Sequence, residues 1–304
     1  MRTPMVGWIV AIVPTLAAFA ALPITAQQTM GAKAPFDWSG QVGAGGRVRI
    51  ADVRGDVRVT AASGDRIAVH AEVRRRGRHG SDIVFDVLPD GNNVTICARW
   101  ADQPSCTDRG LHDDDDHDGG ESGSADFTVQ LPRSLRLDVS TGNGTVDVAG
   151  TGSDIDASSG NGALRIAGAT GAVRASSGNG DVTVDGAGGP INANTGNGAI
   201  HAYTSTGPVI ATSGNGDIDV RMQTLPTKTR MEFTTGNGNV TVAAPAALAA
   251  ILNADTGHGR IDSDFPLTLN GGHLELTHIR AMINGGGPSL LLSSGNGNLV
   301  LRKI

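Results

Sequence analysis

The stretch Ser177-Gly178-Asn179-Gly180-Asp181-Val182-Thr183-Val184 decides the fold, because close copies of it return along most of the chain. Each copy contains the tetrapeptide Ser/Thr-Gly-Asn-Gly, and one near copy carries His258 in place of the Asn. The Asn residues are Asn143, Asn161, Asn179, Asn197, Asn215, Asn237 and Asn296. The first five are spaced by 18 residues, and a fixed period of this kind indicates a repeat architecture.

Apolar residues flank each tetrapeptide at the spacing of β-strands. In the quoted copy, Val182 and Val184 follow with one residue between them, and Val173 stands five residues before Gly178. Each unit therefore supplies two short strands and two glycine-rich corners. We predict an all-β fold, a parallel β-solenoid of about 18 residues per turn, whose successive turns lie about 4.8 Å apart.

The stacking of such turns assigns a structural role to the seven Asn residues. We predict that they form a ladder in which each side-chain amide donates to the carbonyl of the next. Glycine allows positive φ at the corners, and Asn tolerates the left-handed region better than other non-glycine residues. His258 is expected to break the ladder.

The N-terminal residues have the pattern of a secretory signal peptide. Arg2 supplies the positive start, residues 8–22 form an apolar run, and Ala26 ends a plausible cleavage site. A membrane anchor is the alternative interpretation. Cleavage would leave no transmembrane segment, and the mature protein would be exported and lie in the periplasm, on the outer surface or in the medium.

The remaining chain is expected to form one domain. Residues 27–46 are predicted as an N-terminal lead and residues 47–304 as a single β-solenoid domain. Within that domain we expect degenerate rungs with a hairpin and an acidic loop at 47–130, regular repeats at 131–263, and an elaborated C-terminal cap at 264–304. The turn-forming residues 89–93 favour the hairpin, because apolar alternation stands on both sides of them.

The two cysteines are Cys97 and Cys106. An oxidising compartment favours a disulfide between them, since no other cysteine is present in the chain. The alternative is a reactive thiol or a pair of metal ligands. However, a spacing of nine residues fits no metal motif.

An acidic segment with two histidines is the candidate metal site. Its residues are His112, Asp113, Asp114, Asp115, Asp116, His117 and Asp118. Carboxylate and imidazole groups can bind a divalent cation, although a solvated loop is the simpler interpretation of such a polar run.

Charge and motif spacing exclude several functions. Outside residues 112–122 the mature chain holds 24 acidic and 23 basic residues, which argues against nucleic acid as a partner. No Lys follows the Gly-Asn-Gly corners, so they do not match a phosphate-binding loop. The residue after each tetrapeptide varies, whereas calcium-binding repeats require Asp at one fixed place.

The outward residues bear on catalysis and on surface binding. A carbohydrate-active solenoid would need paired carboxylates beside a basic or aromatic platform, and aromatic residues are scarce after Leu131. The outward candidates are Asp147, Asp181, Asp217 and Asp219. Paired Ser and Thr residues before each Gly-Asn-Gly could form a stripe that orders water, ice or glycan hydroxyls, or they could satisfy backbone groups at the corners.

Several separated features together resemble one protein family. These are the Gly-Asn-Gly units, the entry Val129-Gln130-Leu131-Pro132, the step Asp264-Phe265-Pro266-Leu267 and the closing Ser294-Gly295-Asn296-Gly297-Asn298-Leu299. They are similar to the bacterial putative-adhesin β-strand-repeat family, over residues 46–304. The resemblance implies a right-handed β-solenoid (β-helix) that is secreted or associated with the cell envelope. It implies no catalytic residues, because the family is largely a domain of unknown function.

The expected function is therefore that of a non-catalytic, exported structural or adhesin-like module. Its expected partner is an envelope or extracellular ligand, either a glycan or a protein, and no cofactor is expected. The first alternative is a carbohydrate-active solenoid that binds or cleaves polysaccharide, and the second is an ice- or water-ordering hydroxyl surface.

Overall fold

The computed structural model describes residues 28–31, 35–75, 82–111, 123–204, 207–224, 229–269 and 277–304. Within these ranges the chain forms 26 β-strands and no helix. The strands are β1 (Gln28–Gly31), β2 (Phe36–Gly40), β3 (Arg47–Asp52), β4 (Val57–Ala61), β5 (Ile67–Arg75), β6 (Ile83–Asp90), β7 (Asn93–Trp100), β8 (Gly123–Leu131), β9 (Arg136–Asn143), β10 (Val146–Ala149), β11 (Ile155–Asn161), β12 (Leu164–Ala167), β13 (Val173–Asn179), β14 (Val182–Ala187), β15 (Ile191–Asn197), β16 (Ile200–Thr204), β17 (Val209–Asn215), β18 (Ile218–Met222), β19 (Met231–Asn237), β20 (Val240–Ala244), β21 (Ala250–His258), β22 (Ile261–Ser263), β23 (Leu267–Leu269), β24 (His278–Ile283), β25 (Ser289–Asn296) and β26 (Leu299–Lys303). The predicted signal peptide and the predicted acidic loop lie outside the described residues. The described part holds no helix that is long and apolar enough to span a membrane.

The strands form two long sheets, a large sheet of 14 strands and a small sheet of 12. From β3 to β22, successive strands alternate between the two sheets, except for β5 and β6. A rung therefore consists of one strand in the large sheet and the next strand in the small sheet. Neighbouring rungs pair in parallel, as β11 does with β13, where Ile155 faces Val173 and Asn161 faces Asn179. The fold is therefore solenoid-like, and the predicted all-β class with parallel stacking is confirmed.

Small aliphatic side chains fill the space between the two sheets. In one rung, Ile155 and Ala157 of β11 and Leu164 and Ile166 of β12 are buried, whereas Asp156 faces outward. Burial of a Val, Leu or Ile side chain stabilises a fold by about 1.5–3 kcal/mol. Because every rung repeats this burial on its neighbour, a thin core extends along the whole stack.

The order of the rungs in space differs from their order in the chain at the C-terminal end. The rung of β25 and β26 lies between the rung of β19 and β20 and the rung of β21 and β22. Strand β24 then pairs antiparallel with β21, and β23 pairs antiparallel with β24. The prediction of a terminal cap at 264–304 is therefore wrong for β25 and β26, because both edges of each are hydrogen-bonded inside the stack.

The same inversion occurs at the N-terminal end. The rung of β3 and β4 lies between the rung of β7 and β8 and the rung of β9 and β10. The predicted lead contains β1 and β2, which pair antiparallel with β6 and β5. At the N-terminal end both strands of the outermost parallel rung are thus covered by antiparallel strands, whereas at the C-terminal end β24 covers β21, and β22 is the last strand of the small sheet among the described residues. At each end, an earlier or later segment of the chain is enclosed behind the outermost rung.

The predicted hairpin is present as β6 and β7, and it anchors the disulfide. Cys97 of β7 is bonded to Cys106, as the sequence predicted. The backbone N–H of Cys106 donates to the buried Asp86 of β6, and Arg99 also donates to this carboxylate at 2.6 Å. Burial tends to raise the pKa of Asp86, but these hydrogen bonds and that of Thr29 outweigh it, so the pKa is lowered. The carboxylate therefore holds the disulfide loop against the hairpin in its ionised form.

Buried hydroxyl groups join one rung to the next at the Gly-Asn-Gly corner. The second Ser or Thr of each pair points inward and donates to the carbonyl of the last glycine of a corner in the adjacent rung. The eight donors are Thr141, Ser159, Ser177, Thr195, Ser213, Thr235, Thr256 and Ser294, with distances of 2.8–3.0 Å. The sequence allowed these hydroxyls either to order water, ice or glycan hydroxyls or to satisfy backbone groups. The inner hydroxyls take the second role, since they bond to backbone carbonyls at the corners.

The seven repeat Asn residues form an uninterrupted side-chain ladder. Nδ2 of each donates to Oδ1 of the Asn before it in space, over distances of 2.7–2.9 Å. Asn296 bonds directly to Asn237 because its rung is inserted there. The expectation that His258 breaks the ladder is therefore wrong, since His258 lies beyond Asn296. The ladder is also exposed to solvent rather than buried.

The glycines on either side of the ladder are required by close approach of the backbone. A Cβ at Gly178 would lie 2.5 Å from the carbonyl oxygen of Gly160, and one at Gly180 would lie 2.3 Å from that of Gly162. Gly180 also has φ of 150°, which disfavours other residues. Among the described non-glycine residues, positive φ occurs at Asn284 and not at the ladder. The ladder Asn residues therefore serve hydrogen bonding and not the left-handed conformation.

The substitution Asn179→Asp tests the ladder. It keeps the acceptor for Asn197 but replaces the donor to Asn161 with a carboxylate oxygen. Because the site is exposed, we expect a loss of about 0.5–1.5 kcal/mol, the usual net value of one hydrogen bond. Denaturant midpoints, together with hydrogen exchange at the neighbouring rungs, would measure it, since stacked repeats need not unfold in one step.

A matched control is available at the same corner. Asn298 is exposed, and its Oδ1 accepts from the backbone N–H of Arg260 at 3.0 Å, an interaction that Asp preserves. Asn298→Asp should therefore change stability by less than about 0.5 kcal/mol. Equal losses in the two variants would show that charge at the corner, and not the missing donor, is responsible.

One buried carboxyl group occupies a position that other rungs fill with a hydroxyl. Asp52 is in register with Thr141 and is only 2% exposed. Its Oδ1 accepts from the N–H of Arg54, but its Oδ2 has no hydrogen-bond partner. Burial, followed by the nearby carboxylates of Asp126 and Asp56, raises the pKa of Asp52 well above its ordinary value. The folded state thus favours the protonated form of Asp52 more than the unfolded chain does.

The substitution Asp52→Thr is expected to stabilise the protein at neutral pH and to remove a pH dependence. The folded state binds the Asp52 proton more tightly than the unfolded state. Its stabilising contribution is therefore complete below the ordinary pKa of Asp and is lost as the pH rises through the raised value. We expect a gain of about 1–3 kcal/mol at pH 8 and a smaller gain at pH 4. Denaturant midpoints at both pH values would measure it. A similar gain from Asp219→Thr on the outer surface would contradict the assignment.

Candidate functional site

An elongated groove crosses the outer face of the large sheet. It has a volume of about 500 Å³ and is lined by residues at or just before the amino ends of β3, β9, β11, β13, β15, β17 and β19. Its floor consists of side chains that face away from the core, and one column of these runs across the strands in register. From the N-terminal side the column reads Arg49, Asp138, Asp156, Arg174, Asn192 and Ile210.

Carboxylates and guanidinium groups are concentrated at the N-terminal end of this column. Asp138 accepts from Arg49 at 2.7 Å and lies 3.5 Å from Arg47. Asp156 occupies the next rung, 4.0 Å from the largely exposed Arg174. Burial, followed by the charge of Asp138, raises the pKa of Asp156. The two carboxylates therefore lie on adjacent strands, with arginine on both sides of the pair.

The middle of the groove is apolar. Pro190 and Pro208 come from the second corners of successive rungs and lie in equivalent positions, one rung apart. Ile210 is 38% exposed, which is unusual for a large apolar side chain on this protein. The two prolines stand in equivalent positions because their carbonyls accept from the N–H groups of Val173 and Ile191, each at the start of the preceding large-sheet strand.

The C-terminal end of the groove carries one more charged group. Arg230 stands just before β19, and it forms an ion pair of 2.9 Å with Glu232 on the same edge. Along its length the groove thus changes from a charged end, through an apolar floor, to an exposed guanidinium. Nothing in this arrangement involves the Asn ladder, which follows the opposite, carboxyl ends of the large-sheet strands.

The sequence-predicted site residues lie elsewhere. The Asn ladder and the disulfide of Cys97 and Cys106 are structural features, and residues 112–118 fall outside the described part. Two of the outward aspartates, Asp181 and Asp217, accept backbone N–H groups of the next rung at the corner. In the part of the chain that the structure describes, no group of three or more His, Cys, Asp or Glu could hold a metal ion.

The sequence did contain a signal for the groove. Asp138, Asp156, Arg174, Asn192 and Ile210 are spaced by 18 residues, like the ladder asparagines. Their types differ, so a search for repeated residues passes over them. Arg47, at the start of β3, also lines this groove.

The outer hydroxyls give a mixed column rather than a flat surface. The first residue of each Ser/Thr pair does face outward, in Ser140, Ser158, Ser176, Thr212, Thr234 and Ser293. Asn194 and Asp255 interrupt this column in register. A regular threonine array, as an ice-binding surface requires, is not formed along it.

Comparison with known proteins places the chain in a family. The family model Toastrack DUF4097 matches residues 46–302. A search of curated proteins gives no significant match. Among solved structures, a "putative cell adhesion protein" from Clostridium sporogenes ATCC 15579 is 9% identical, with a TM-score of 0.27 over 89% of this chain and 100% of that chain. A "putative adhesin" from Bacteroides fragilis NCTC 9343 is 14% identical, with a TM-score of 0.45 over 90% of this chain and 99% of that one. Because the family model spans most of the sequence, this protein belongs to the Toastrack DUF4097 family.

Proposed function

We propose that this protein is an exported, non-catalytic binding module of the adhesin type, which presents the groove of the large sheet to a ligand of the cell envelope or its surroundings. The observation that carries the proposal is the groove itself. It brings the exposed Ile210 and the largely exposed Arg174 together in one depression that crosses neighbouring strands of the large sheet. The stacked rungs beneath it form a rigid support.

Export is proposed from the N-terminal pattern and from the disulfide. Residues 1–26 combine a basic start with an apolar run, and Cys97 and Cys106 are bonded in the folded domain. A structural disulfide is typical of oxidising compartments. The coil itself is proposed to be right-handed with about 18 residues per turn, since parallel strands of one sheet are joined by right-handed crossovers in about 98% of cases.

A carbohydrate-active enzyme is the second candidate, because Asp138 and Asp156 are adjacent carboxylates with arginine beside them. Glycosidases use such pairs, with one carboxyl of raised pKa as the acid. Binding is favoured because Asp138 is held in ion pairs with Arg49 and Arg47, which leaves it less suited to act as a nucleophile or base.

Export predicts a defined product. The full chain expressed in a bacterial host should appear in the exported fraction with its N-terminus at Gln27, as intact mass would show. Arg2→Glu combined with Ala26→Arg, which spoils both the basic start and the cleavage site, should reduce processing. An unprocessed protein in the cytoplasm of the unmodified strain would contradict export.

Binding predicts retention on cell envelopes. Purified mature protein, residues 27–304, should sediment with isolated bacterial envelopes and saturate. The triple variant Arg174→Ala, Ile210→Ser, Arg230→Ala should lose most of this retention, since it removes contacts from the middle and one end of the groove. Arg165→Ala, an outward arginine on β12 of the small sheet, is the matched control and should retain binding. Equal retention of all proteins would contradict the groove as the binding face.

A further inference from the structure

We infer that the ligand of the groove is a linear, uncharged glycan chain that lies along the stacking direction, across the strands. This inference rests on the proposed binding function and names its ligand class. The first argument is charge. The lining holds Arg47, Arg136, Arg174 and Arg230 against Asp138, Asp154 and Asp156, so its charges nearly cancel.

Charge balance separates the ligand classes. A polyanion such as nucleic acid or an acidic polysaccharide is bound by an excess of cationic groups, with strong dependence on salt. Here the carboxylates of Asp138 and Asp156 lie beside arginines of the same lining, 3.5 Å from Arg47 and 4.0 Å from Arg174 respectively. An anionic chain would meet these carboxylates, and a cationic chain would meet the arginines. An uncharged ligand avoids both penalties.

The polar groups of the column suit hydroxyl groups. Carboxylates accept hydrogen bonds, a guanidinium donates them, and an amide does both. In register across the sheet, Asp156 offers acceptors, Arg174 offers donors and Asn192 offers both within two strand spacings. A sugar hydroxyl donates and accepts at one atom, so successive sugar residues can satisfy this mixed column without carrying charge.

The apolar floor suits the other face of the same ligand. Pro190, Pro208 and Ile210 present aliphatic carbon to solvent, with Ile210 38% exposed. An extended β-linked glycan is a ribbon with hydroxyls along its edges and C–H groups on its faces. Such a ribbon could place a C–H face on the prolines while its edge hydroxyls reach Asp156 and Arg174.

Length and shape favour a chain over a small molecule. The groove crosses seven adjacent strands of the large sheet, or six spacings of about 4.8 Å, which is on the order of 29 Å. It is open along its length, so it can accept internal segments of a long polymer. The absence of aromatic residues from its lining indicates weak binding by each site, so that many copies of the protein on one polymer would provide firm attachment.

The test uses the mature protein and soluble oligosaccharides. Oligomers of β-linked N-acetylglucosamine and of β-linked glucose, from two to six units, would be titrated by isothermal calorimetry and by amide NMR. We expect the affinity of at least one series to increase with length, and amide shifts to concentrate on residues 136–138, 154–156, 172–174, 190–192 and 208–210. The affinity should change less than threefold between 50 and 300 mM salt, since no net charge is paired.

Matched variants locate the contact. Arg174→Ala should weaken binding at least tenfold, which corresponds to about 1.4 kcal/mol, and Arg165→Ala on the small sheet should leave it unchanged. Asp156→Asn should also weaken binding, whereas Asp219→Asn on the small sheet should not. Folding of each variant is checked by its denaturant midpoint. Equal effects within either pair would overturn the location of the site.

The remaining outcomes separate this inference from the proposed function. Envelope retention that is abolished by protease treatment of the envelopes, with no oligosaccharide bound, would overturn the glycan while leaving a binding module with a protein ligand. Tighter binding of polygalacturonate than of the uncharged series, lost at high salt, would overturn the uncharged class. Release of shorter oligosaccharides during the titration, abolished by Asp156→Asn, would overturn the non-catalytic function. Loss of retention after enzymatic removal of envelope glycans would support the inference.

Discussion

The close approach of one Gly-Asn-Gly corner to the next is the constraint on which the whole structure depends. At this corner the backbone of adjacent rungs comes so near that a Cβ at either glycine would overlap a carbonyl oxygen, as at Gly178 and Gly180. The approach lets the inward hydroxyl of Ser177 reach the carbonyl of Gly162, and it lets the amide of Asn179 reach Asn161. One short sequence thus sets the spacing of both sheets, because each strand begins or ends at that corner. The aliphatic core can then remain thin, since no rung has to bury more than a few small side chains.

The two ends of the stack treat their exposed strand edges differently. An open edge of a parallel sheet offers unpaired N–H and C=O groups to other chains. At the N-terminal end β6 and β5 cover both strands of the outermost rung, whereas at the C-terminal end β24 covers β21, and β22 is the last strand of the small sheet in the described part of the chain. The inserted rungs, β3 with β4 and β25 with β26, are hydrogen-bonded on both sides. The C-terminal segment of the chain is therefore held as firmly as the middle, which a simple coil with a free last turn would not achieve.

The groove combines this scaffold with variation at positions that the fold does not use. Inward positions and corners are restricted to aliphatics, hydroxyls, Gly and Asn, whereas the outward column accepts Asp156, Arg174, Asn192 and Ile210 in succession. Each of these side chains is carried by a strand fixed on both edges, so their relative positions are rigid. The outward residues can therefore vary without any change of fold. The assignment of an uncharged glycan rests on those residues and not on the family, whose structural neighbours share only 9% and 14% identity with this chain.

The sequence by itself determined the repeat, the all-β class, the hairpin and the Asn ladder. The repeat, the class and the ladder follow from the 18-residue period and the alternation of apolar residues, and the hairpin follows from the turn-forming residues 89–93. It also indicated the pairing of Cys97 with Cys106, which requires only two cysteines near one hairpin. Only the tertiary structure decided the order of the rungs, because the insertion of β25 beside β19 depends on long-range pairing that leaves the local pattern of Ser294 to Asn298 unchanged. For this reason His258 falls at the end of the ladder and not within it. The groove, too, was decided by the tertiary structure, since unlike residues 18 positions apart become a site only when stacking brings them onto one face. The raised pKa of Asp52 was likewise decided by the tertiary structure. Its burial depends on the stacked rungs, and the carboxylate of Asp126 comes from β8, far along the chain, whereas that of Asp56 lies across the following corner.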